Sequence, residues 1–172
     1  MMNNSDEYIK KLSKKYERNF KIYKDEVIEN KKINLYASYK NIAGRTFITK
    51  NDVIDRYEIN EYCLIKKFDN INKDILMDFW EYGKKLTEVL VKPHSEHKSS
   101  DITLVMICNE SPREDEIKVI KKLKYSKSYK FSFYGSSQVK LIFVDINNKK
   151  VYSSKMAKNL KKVYAPEVVS MI

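Results

Sequence analysis

Residues 102–108 read "ITLVMIC", a run in which only Thr103 is not apolar. A half-exposed strand alternates apolar and polar residues, so a continuous run is typical of a strand covered on both faces. The run is also far too short to span a bilayer. We therefore expect it to be the central strand of a sheet, and the neighbouring elements follow outward from it.

The segment before this strand predicts a helix, a meander and a second helix. Ser5 begins a helix with one apolar stripe, formed by Ile9, Leu12, Tyr16 and Phe20. Residues 33–39 alternate as a half-buried strand, "NIAG" (41–44) predicts a turn, and "RTFIT" (45–49) a returning strand. Residues 52–59 and 62–68 are interpreted as a hairpin around Asn60 and Glu61, or the first of them as partly helical. Asn72 is the predicted N-cap of the second helix.

The segment after the central strand predicts a helix, a hairpin and a last helix. Ser111, Pro112 and Glu114 have the capping-box pattern, which predicts a helix from there to about Lys124. The alternation in residues 127–146 predicts a hairpin, with three rings as core candidates: Tyr129, Phe131 and Phe133. Ser154 is the predicted cap of the last helix.

These elements predict an α+β fold with a mixed, largely antiparallel sheet and three to four helices. Their order is helix–meander–helix–strand–helix–hairpin–helix. A chain of 172 residues, 42% of them apolar, is about one domain long, and 3 Gly and 3 Pro leave no room for a flexible linker. We expect one domain over residues 1–172, with the N-terminal helix in 1–20 and a short tail at 165–172.

Composition excludes several kinds of chemistry. The N-terminal sequence "MMNNSDEYIKKLSKK" has no apolar core of a secretory signal, so we expect a soluble, cytoplasmic protein that does not bind membranes. Cys63 and Cys108 are expected to be buried free thiols. The only three glycines, at 44, 83 and 135, are too far apart to form a phosphate-binding loop. No cofactor is expected.

Charge is distributed unevenly along the chain. Residues 1–116 hold 21 basic and 21 acidic side chains, whereas residues 117–164 hold 13 lysines and one acid, Asp145. A genome-wide preference for lysine codons does not explain the loss of acids from one segment alone. Such asymmetry is expected of a surface that attracts an acidic partner.

The lysine-rich segment is therefore the candidate binding surface, for nucleic acid or an acidic protein. Lysine contacts phosphate without reading bases, and aromatic rings can add stacking on a single strand. The alternative is a solvated rim that keeps the protein soluble. The candidate residues are Lys118, Lys121, Lys122, Lys124, Lys127, Lys130, Lys140, Lys155, Lys158, Lys161 and Lys162, with Lys149 and Lys150 in a turn and Tyr125 and Tyr134 as stacking groups.

The loop sequence "HSEH" is the candidate metal site. His94 and His97 are three residues apart, with Glu96 between them and Asp101 nearby, and imidazole and carboxylate groups are common metal ligands. A loop does not fix ligand geometry as a helix does, so the alternative is an ordinary surface loop.

The order helix, three-strand meander, helix, strand over residues 6–108 resembles the core of restriction-endonuclease-like nucleases. That resemblance implies a metal-activated water, an acid on the second strand and an acid-x-Lys motif on the third. Here Lys66 and Lys67 are available, but Leu64 and Ile65 stand two residues before them, where the motif places its acid. Asp55 is the nearest equivalent of the first acid. The alternative function is a metal-dependent, nuclease-like hydrolase that uses either Asp55 and Lys66 or the "HSEH" loop, or a degenerate relative that keeps only the scaffold.

Several stretches resemble an uncharacterised domain family of low-GC bacteria that has no assigned activity. They are "NLYASYKN", "NEYCLIKKF", "EHKSSDITLVMIC", "KKLKYSKSYKFSF" and "VKLIFVD". The resemblance spans nearly the whole chain and implies a shared fold without a mechanism. A homodimer formed through a sheet edge is a further possibility.

Overall fold

The computed structural model describes residues 4–46 and 53–171, with the backbone alone at 45, 46 and 53–55. The helices are α1 (Asn4–Tyr16), α2 (Lys73–Leu90), α3 (Glu114–Lys122), a 3₁₀ helix (Lys155–Leu160) and α4 (Pro166–Ser170). The strands are β1 (Lys21–Ile28), β2 (Lys31–Thr46), β3 (Val53–Phe68), β4 (His97–Cys108), β5 (Tyr125–Ser128), β6 (Ser136–Asp145) and β7 (Lys150–Ser153).

The seven strands within residues 4–46 and 53–171 belong to one mixed sheet. The order is β1-β2-β3-β4-β6, and β5 and β7 both pair with β6 at its outer side. The pairs β3–β4 and β4–β6 are parallel, while the other four pairs are antiparallel. The prediction of an α+β fold with a largely antiparallel mixed sheet is confirmed.

Helices cover both faces of this sheet. On one face α2 and α3 bury Phe79 and Ile120 against Leu104 of β4. On the other face α1, the 3₁₀ helix and α4 bury residues such as Leu12 and Ala157 against Val105. Residues 102–108 therefore have apolar neighbours on both sides, as their composition predicted. Among the described residues, no helix is both long and apolar enough to cross a lipid bilayer.

Two predicted turns are wrong. Residues 41–44 continue β2 and pair with residues 56–59 of β3. Asn60 and Glu61 lie inside β3, where the buried Asn60 side chain donates hydrogen bonds to Glu58 (2.8 Å) and Ser100 (3.3 Å). Neighbouring strands thus satisfy the polar groups that had indicated turns. The predicted strand at 45–49 lies partly outside the described residues.

The N-terminal cap of α2 is the predicted one, whereas that of α3 is not. Asn72 caps α2 as expected, since its side chain accepts a hydrogen bond from the Ile75 amide at 2.8 Å. The N-cap of α3 is Arg113 rather than Ser111, because the buried Glu116 carboxylate accepts from the Arg113 amide at 2.8 Å. Ser111 instead donates to Asp145.

The end of the chain also differs from the prediction. The helix expected after Ser154 is a short 3₁₀ helix, and the Ser154 hydroxyl accepts from the Leu141 amide at 3.0 Å instead of capping. Residues 166–170, expected in a tail, form α4 and bury Val169.

The predicted hairpin at 127–146 forms only in part. Strand β5 ends at Ser128, and residues 129–135 form a turn before β6 begins. Phe131 and Phe133, expected in the core, are 97% and 80% exposed. The backbone explains the difference, since φ is positive at Lys130, Phe131 and Ser132 and such residues cannot continue a strand.

Candidate functional site

The lysines of the C-terminal segment belong to β5, to β7 and to the helices and turns packed around the β6 end of the sheet, and we call this set of lysines the basic edge. All twelve of its lysine side chains are exposed. They are Lys118, Lys121, Lys122, Lys124, Lys127, Lys130, Lys149, Lys150, Lys155, Lys158, Lys161 and Lys162.

The fold brings the segments of the basic edge together. Strands β5 and β7 both pair with β6, so the lysines of both strands flank the same margin. The amide of Lys155 donates to the carbonyl of Leu123 at 3.2 Å, which joins the start of the 3₁₀ helix to the end of α3. Helix α3 also contacts β7. Charges that are far apart in sequence are thereby placed on adjoining elements.

Within residues 4–46 and 53–171, no lysine of the basic edge forms an ion pair with a carboxylate. Lysines elsewhere do, as in the pairs of Lys31 with Asp78 at 2.7 Å and Lys67 with Asp6 at 2.6 Å. The positive charge of the basic edge is thus not neutralised by the described side chains, and its field extends into solvent.

Lys140 does not belong to the basic edge. It lies on the α1-covered face of β6, where its side chain is 12% exposed and its Nζ is 2.6 Å from Asp101 Oδ2. The parallel register of β4 and β6 sets Asp101 beside Gln138, whose side-chain amide donates to Asp101 Oδ1 at 2.7 Å. Grouping Lys140 with the other lysines was wrong because its charge is already paired.

The two tyrosines proposed as stacking groups have covered rings. Tyr125 packs at the margin of the core beneath α2, with Lys84 Nζ 5.8 Å from its ring centroid. Tyr134 is half-buried, and Lys130 Nζ lies 4.3 Å from its ring centroid. The exposed rings of this region are Phe131 and Phe133. The sequence carried no signal for this, because their alternating spacing is also that of a strand.

His94, Glu96 and His97 do not converge on a metal-binding geometry. Both ring nitrogens of His97 are within hydrogen-bonding distance of protein atoms, with Nδ1 2.6 Å from the Tyr134 carbonyl and Nε2 2.8 Å from Ser100 Oγ. His94 Nε2 is 3.3 Å from Glu58, and its Nδ1 accepts from the Glu96 amide at 3.2 Å. Among the described residues, no three His, Cys, Asp or Glu side chains form a group that could hold a metal ion.

His97 instead completes a buried hydrogen-bond chain. A carbonyl can only accept, so Nδ1 must carry a proton that it donates to Tyr134. The Ser100 hydroxyl, 2.8 Å from His97 Nε2, also accepts from the Asn60 side-chain amide. The chain therefore ties β3 and β4 to the turn at residues 129–135.

A cleft of about 400 Å³ opens on the α1-covered face of the sheet. Its floor holds Glu61, Cys63 and the Asp101–Lys140 pair, and Tyr16 and Tyr164 line one side. Burial raises the pKa of Glu61, the charge of Asp101 raises it further, and Lys140 opposes both.

The thiol of Cys63 in this cleft is not an activated nucleophile. Burial raises the pKa of Cys63 to about 11, so the thiol stays protonated at neutral pH. Glu61 and Lys140 are charged residues inside largely apolar strands, and this pattern is the sequence signal that indicates the cleft.

The residues suggested by the nuclease resemblance are not brought together by the described atoms. Lys66 Nζ donates to the Lys32 carbonyl at 3.0 Å and lies 5.4 Å from the centroid of the Phe68 ring. Leu64 and Ile65, which stand where the motif places its acid, are fully buried in the core. The Asp55 side chain lies outside the described residues.

Comparison with known proteins gives a family and no individual relative. No curated protein and no solved structure matches the chain. The resemblance to an uncharacterised family is confirmed, and the chain belongs to the family described as "Domain of unknown function (DUF8052)", whose model matches residues 4–166.

Proposed function

We propose that this protein is a non-catalytic binding domain that holds nucleic acid on its basic edge. The observation that carries the proposal is the set of twelve exposed lysines without carboxylate partners among the described residues. In contrast, several lysines of the N-terminal elements pair with carboxylates, as Lys11 does with Glu7 and Lys31 with Asp78.

Lysine chemistry determines the kind of binding we propose. Each ammonium group that contacts a phosphate releases condensed counterions, which favours binding at low salt and weakens it as salt rises. Arginine is the residue that most often reads guanine in a bidentate manner, and the basic edge contains none. Affinity should therefore depend on backbone charge and little on base sequence.

An acidic protein is the other partner that this charge would suit. The proposal favours nucleic acid because its regular line of phosphates matches lysines spread over several elements. It also takes the protein to be cytoplasmic, where Cys63 and Cys108 remain reduced. The metal-dependent hydrolase and the homodimer remain predictions, to be checked with Mg²⁺- or Mn²⁺-dependent phosphodiesterase assays and light scattering.

Fluorescence anisotropy with labelled single- and double-stranded oligonucleotides tests the proposal. We expect binding at about 50 mM salt that weakens steeply towards about 200 mM. The charge-reversed variant Lys118→Glu/Lys121→Glu/Lys158→Glu should bind at least tenfold more weakly and with a smaller salt slope, because α3 and the 3₁₀ helix then repel phosphate.

The matched control is Lys10→Glu/Lys21→Glu/Lys73→Glu, which changes net charge equally at exposed sites on α1, β1 and α2. It should retain most of the affinity. Equal losses in both variants would mean that net charge alone matters, and no binding of wild type at about 50 mM salt would reject nucleic acid. Polyglutamate that competes as well as an oligonucleotide of equal charge would favour the acidic protein.

A further inference from the structure

Two phenylalanine rings project into solvent from the turn at residues 129–135, which we call the aromatic turn. Phe131 is 97% exposed and Phe133 is 80% exposed, whereas Phe79 and Phe143 are fully buried. Phenylalanine is normally buried because its ring is strongly hydrophobic, so exposure of two such rings in one turn points to a ligand.

The backbone of the aromatic turn has an unfavourable conformation for its residues. φ is 45° at Lys130, 54° at Phe131 and 74° at Ser132, three consecutive left-handed residues of which none is glycine. Such conformations persist only when the surrounding structure imposes them, and they concentrate at functional sites.

The surrounding structure does impose this conformation. The Tyr134 amide donates to the Tyr129 carbonyl at 3.1 Å, and the Tyr129 amide donates to the Gly135 carbonyl at 3.0 Å. The buried His97 ring holds the Tyr134 carbonyl, and the Tyr129 hydroxyl is 2.8 Å from Ser137 Oγ. The turn is thus clamped to β4 and β6, and the two rings are presented on a pre-organised base.

The charges beside the rings indicate which ligand they fit. Lys127 and Lys130 are exposed in the same segment, and each lies over a tyrosine ring, at 5.7 Å from the Tyr129 centroid and 4.3 Å from the Tyr134 centroid. The tyrosine faces are therefore already in contact with cations. The faces of Phe131 and Phe133 are open, with positive charge close by for phosphate.

We propose that the aromatic turn is a stacking platform for unpaired bases, so that the basic edge prefers single-stranded to double-stranded nucleic acid. Every base offers a flat face to an aromatic ring, but in a duplex those faces are hidden by base stacking. The inference rests on the proposed function, because the lysines of the basic edge supply the contacts to the backbone.

Substitutions at the two exposed phenylalanines test the inference with little risk to the fold. Wild type should bind a fluorescein-labelled oligo(dT) of about 20 nucleotides more tightly than a duplex of equal length at about 50 mM salt. Phe131→Ala/Phe133→Ala should lose about tenfold to a hundredfold in affinity for the single strand and keep its affinity for the duplex. Circular dichroism and thermal melting confirm that each variant is folded.

Two further variants separate stacking from general apolarity. Phe131→Trp/Phe133→Trp should retain binding to the single strand, because indole stacks on bases, whereas Phe131→Leu/Phe133→Leu should behave like the alanine variant. If the alanine or leucine variant binds the single strand as wild type does, the inference is overturned, while salt-dependent binding still supports the proposed function.

A lipid surface is the other ligand that exposed rings beside lysines would suit. Sedimentation with vesicles of phosphatidylcholine and phosphatidylserine, in a molar ratio of about 7:3, tests it. Both proposals would be overturned if wild type binds these vesicles but neither oligonucleotide, and if vesicle binding is lost in the alanine variant and kept in the leucine variant. Stacking is supported if wild type does not sediment with the vesicles and if it prefers the single strand, with that preference lost in the alanine variant.

Discussion

Glu58 is a carboxylate held by three neighbours where β3 meets the loop that precedes β4. Its side chain is 12% exposed, and it accepts from Lys40 Nζ and Asn60 Nδ2, both at 2.8 Å, with His94 Nε2 at 3.3 Å. Burial favours the neutral acid, but the hydrogen bonds from Lys40 and Asn60 and the charge of Lys40 outweigh it. The pKa of Glu58 is lowered from 4.5 to about 2.

A lowered carboxyl pKa makes stability depend on pH in one direction. The ionised form is favoured by folding, so its contribution is present above pH about 4.5 and is lost as the pH falls towards about 2. We expect Glu58→Gln to lower the free energy of unfolding by about 1–2 kcal/mol at pH 7, less than the full shift implies because Lys40 is partly exposed. Urea denaturation should show this difference shrinking below pH about 4.5.

Glu96→Gln is the control for this prediction, since Glu96 is exposed in the neighbouring loop. It should leave the free energy of unfolding unchanged at every pH. A Glu58→Gln variant as stable as wild type at pH 7 would contradict the lowered pKa. So would a difference that persists unchanged at pH about 2.

At the scale of elements, two positions within the aromatic turn have the same backbone conformation in different surroundings. Gly135 has φ of +74°, and a Cβ there would lie 2.5 Å from the carbonyl oxygens of His97 and Lys98. Ser132 has a similar φ of 74° but occupies an exposed position. The two positions therefore share a backbone conformation, but the backbone of β4 lies close to Gly135 and not to the exposed Ser132.

This contrast gives a prediction for the turn. Gly135→Ala should lower the free energy of unfolding by about 2–4 kcal/mol, because the added methyl group meets backbone atoms that cannot move freely. Ser132→Gly should leave it unchanged or raise it slightly, since glycine adopts positive φ without strain. Urea denaturation of the two variants decides: equal midpoints would mean that β4 does not restrict the turn at Gly135.

At the scale of the whole molecule, the net positive charge comes from the C-terminal segment. The formal net charge is +11, and residues 1–116 contribute none of it. The basic edge therefore carries mutual repulsion between lysines that no described carboxylate relieves. Repulsion between exposed charges is screened by salt over a Debye length of about 10 Å at 0.1 M ionic strength.

We expect the free protein to become more stable as salt rises from about 0.02 to 0.5 M, before any ligand is added. Lys118→Glu/Lys121→Glu/Lys158→Glu should be more stable than wild type at low salt, by about 1 kcal/mol or less, and equal to it at high salt. Thermal melting across the salt series measures this. The control Lys10→Glu/Lys21→Glu/Lys73→Glu should gain less, and an equal gain would show that repulsion is not concentrated at the basic edge.

Local patterns predicted the elements whose causes are local. The uninterrupted apolar run of β4, the cap at Asn72 and the stripe of α1 depend on residues within a few positions of each other. The predictions were wrong where a short sequence pattern is compatible with two different local structures, such as a turn and a strand. Asn60 indicated a turn because the partner that satisfies it, Ser100, is forty positions away and comes close only when β3 and β4 pair.

The sequence by itself determined the α+β class, the buried central strand and the separation of lysines from acids, because composition and periodicity act along the chain. Tertiary structure alone decided that Lys140 is paired with Asp101 and that Phe131 and Phe133 face solvent. Strand register and left-handed backbone angles set these outcomes. Both arise from contacts between segments that no pattern of neighbouring residues encodes.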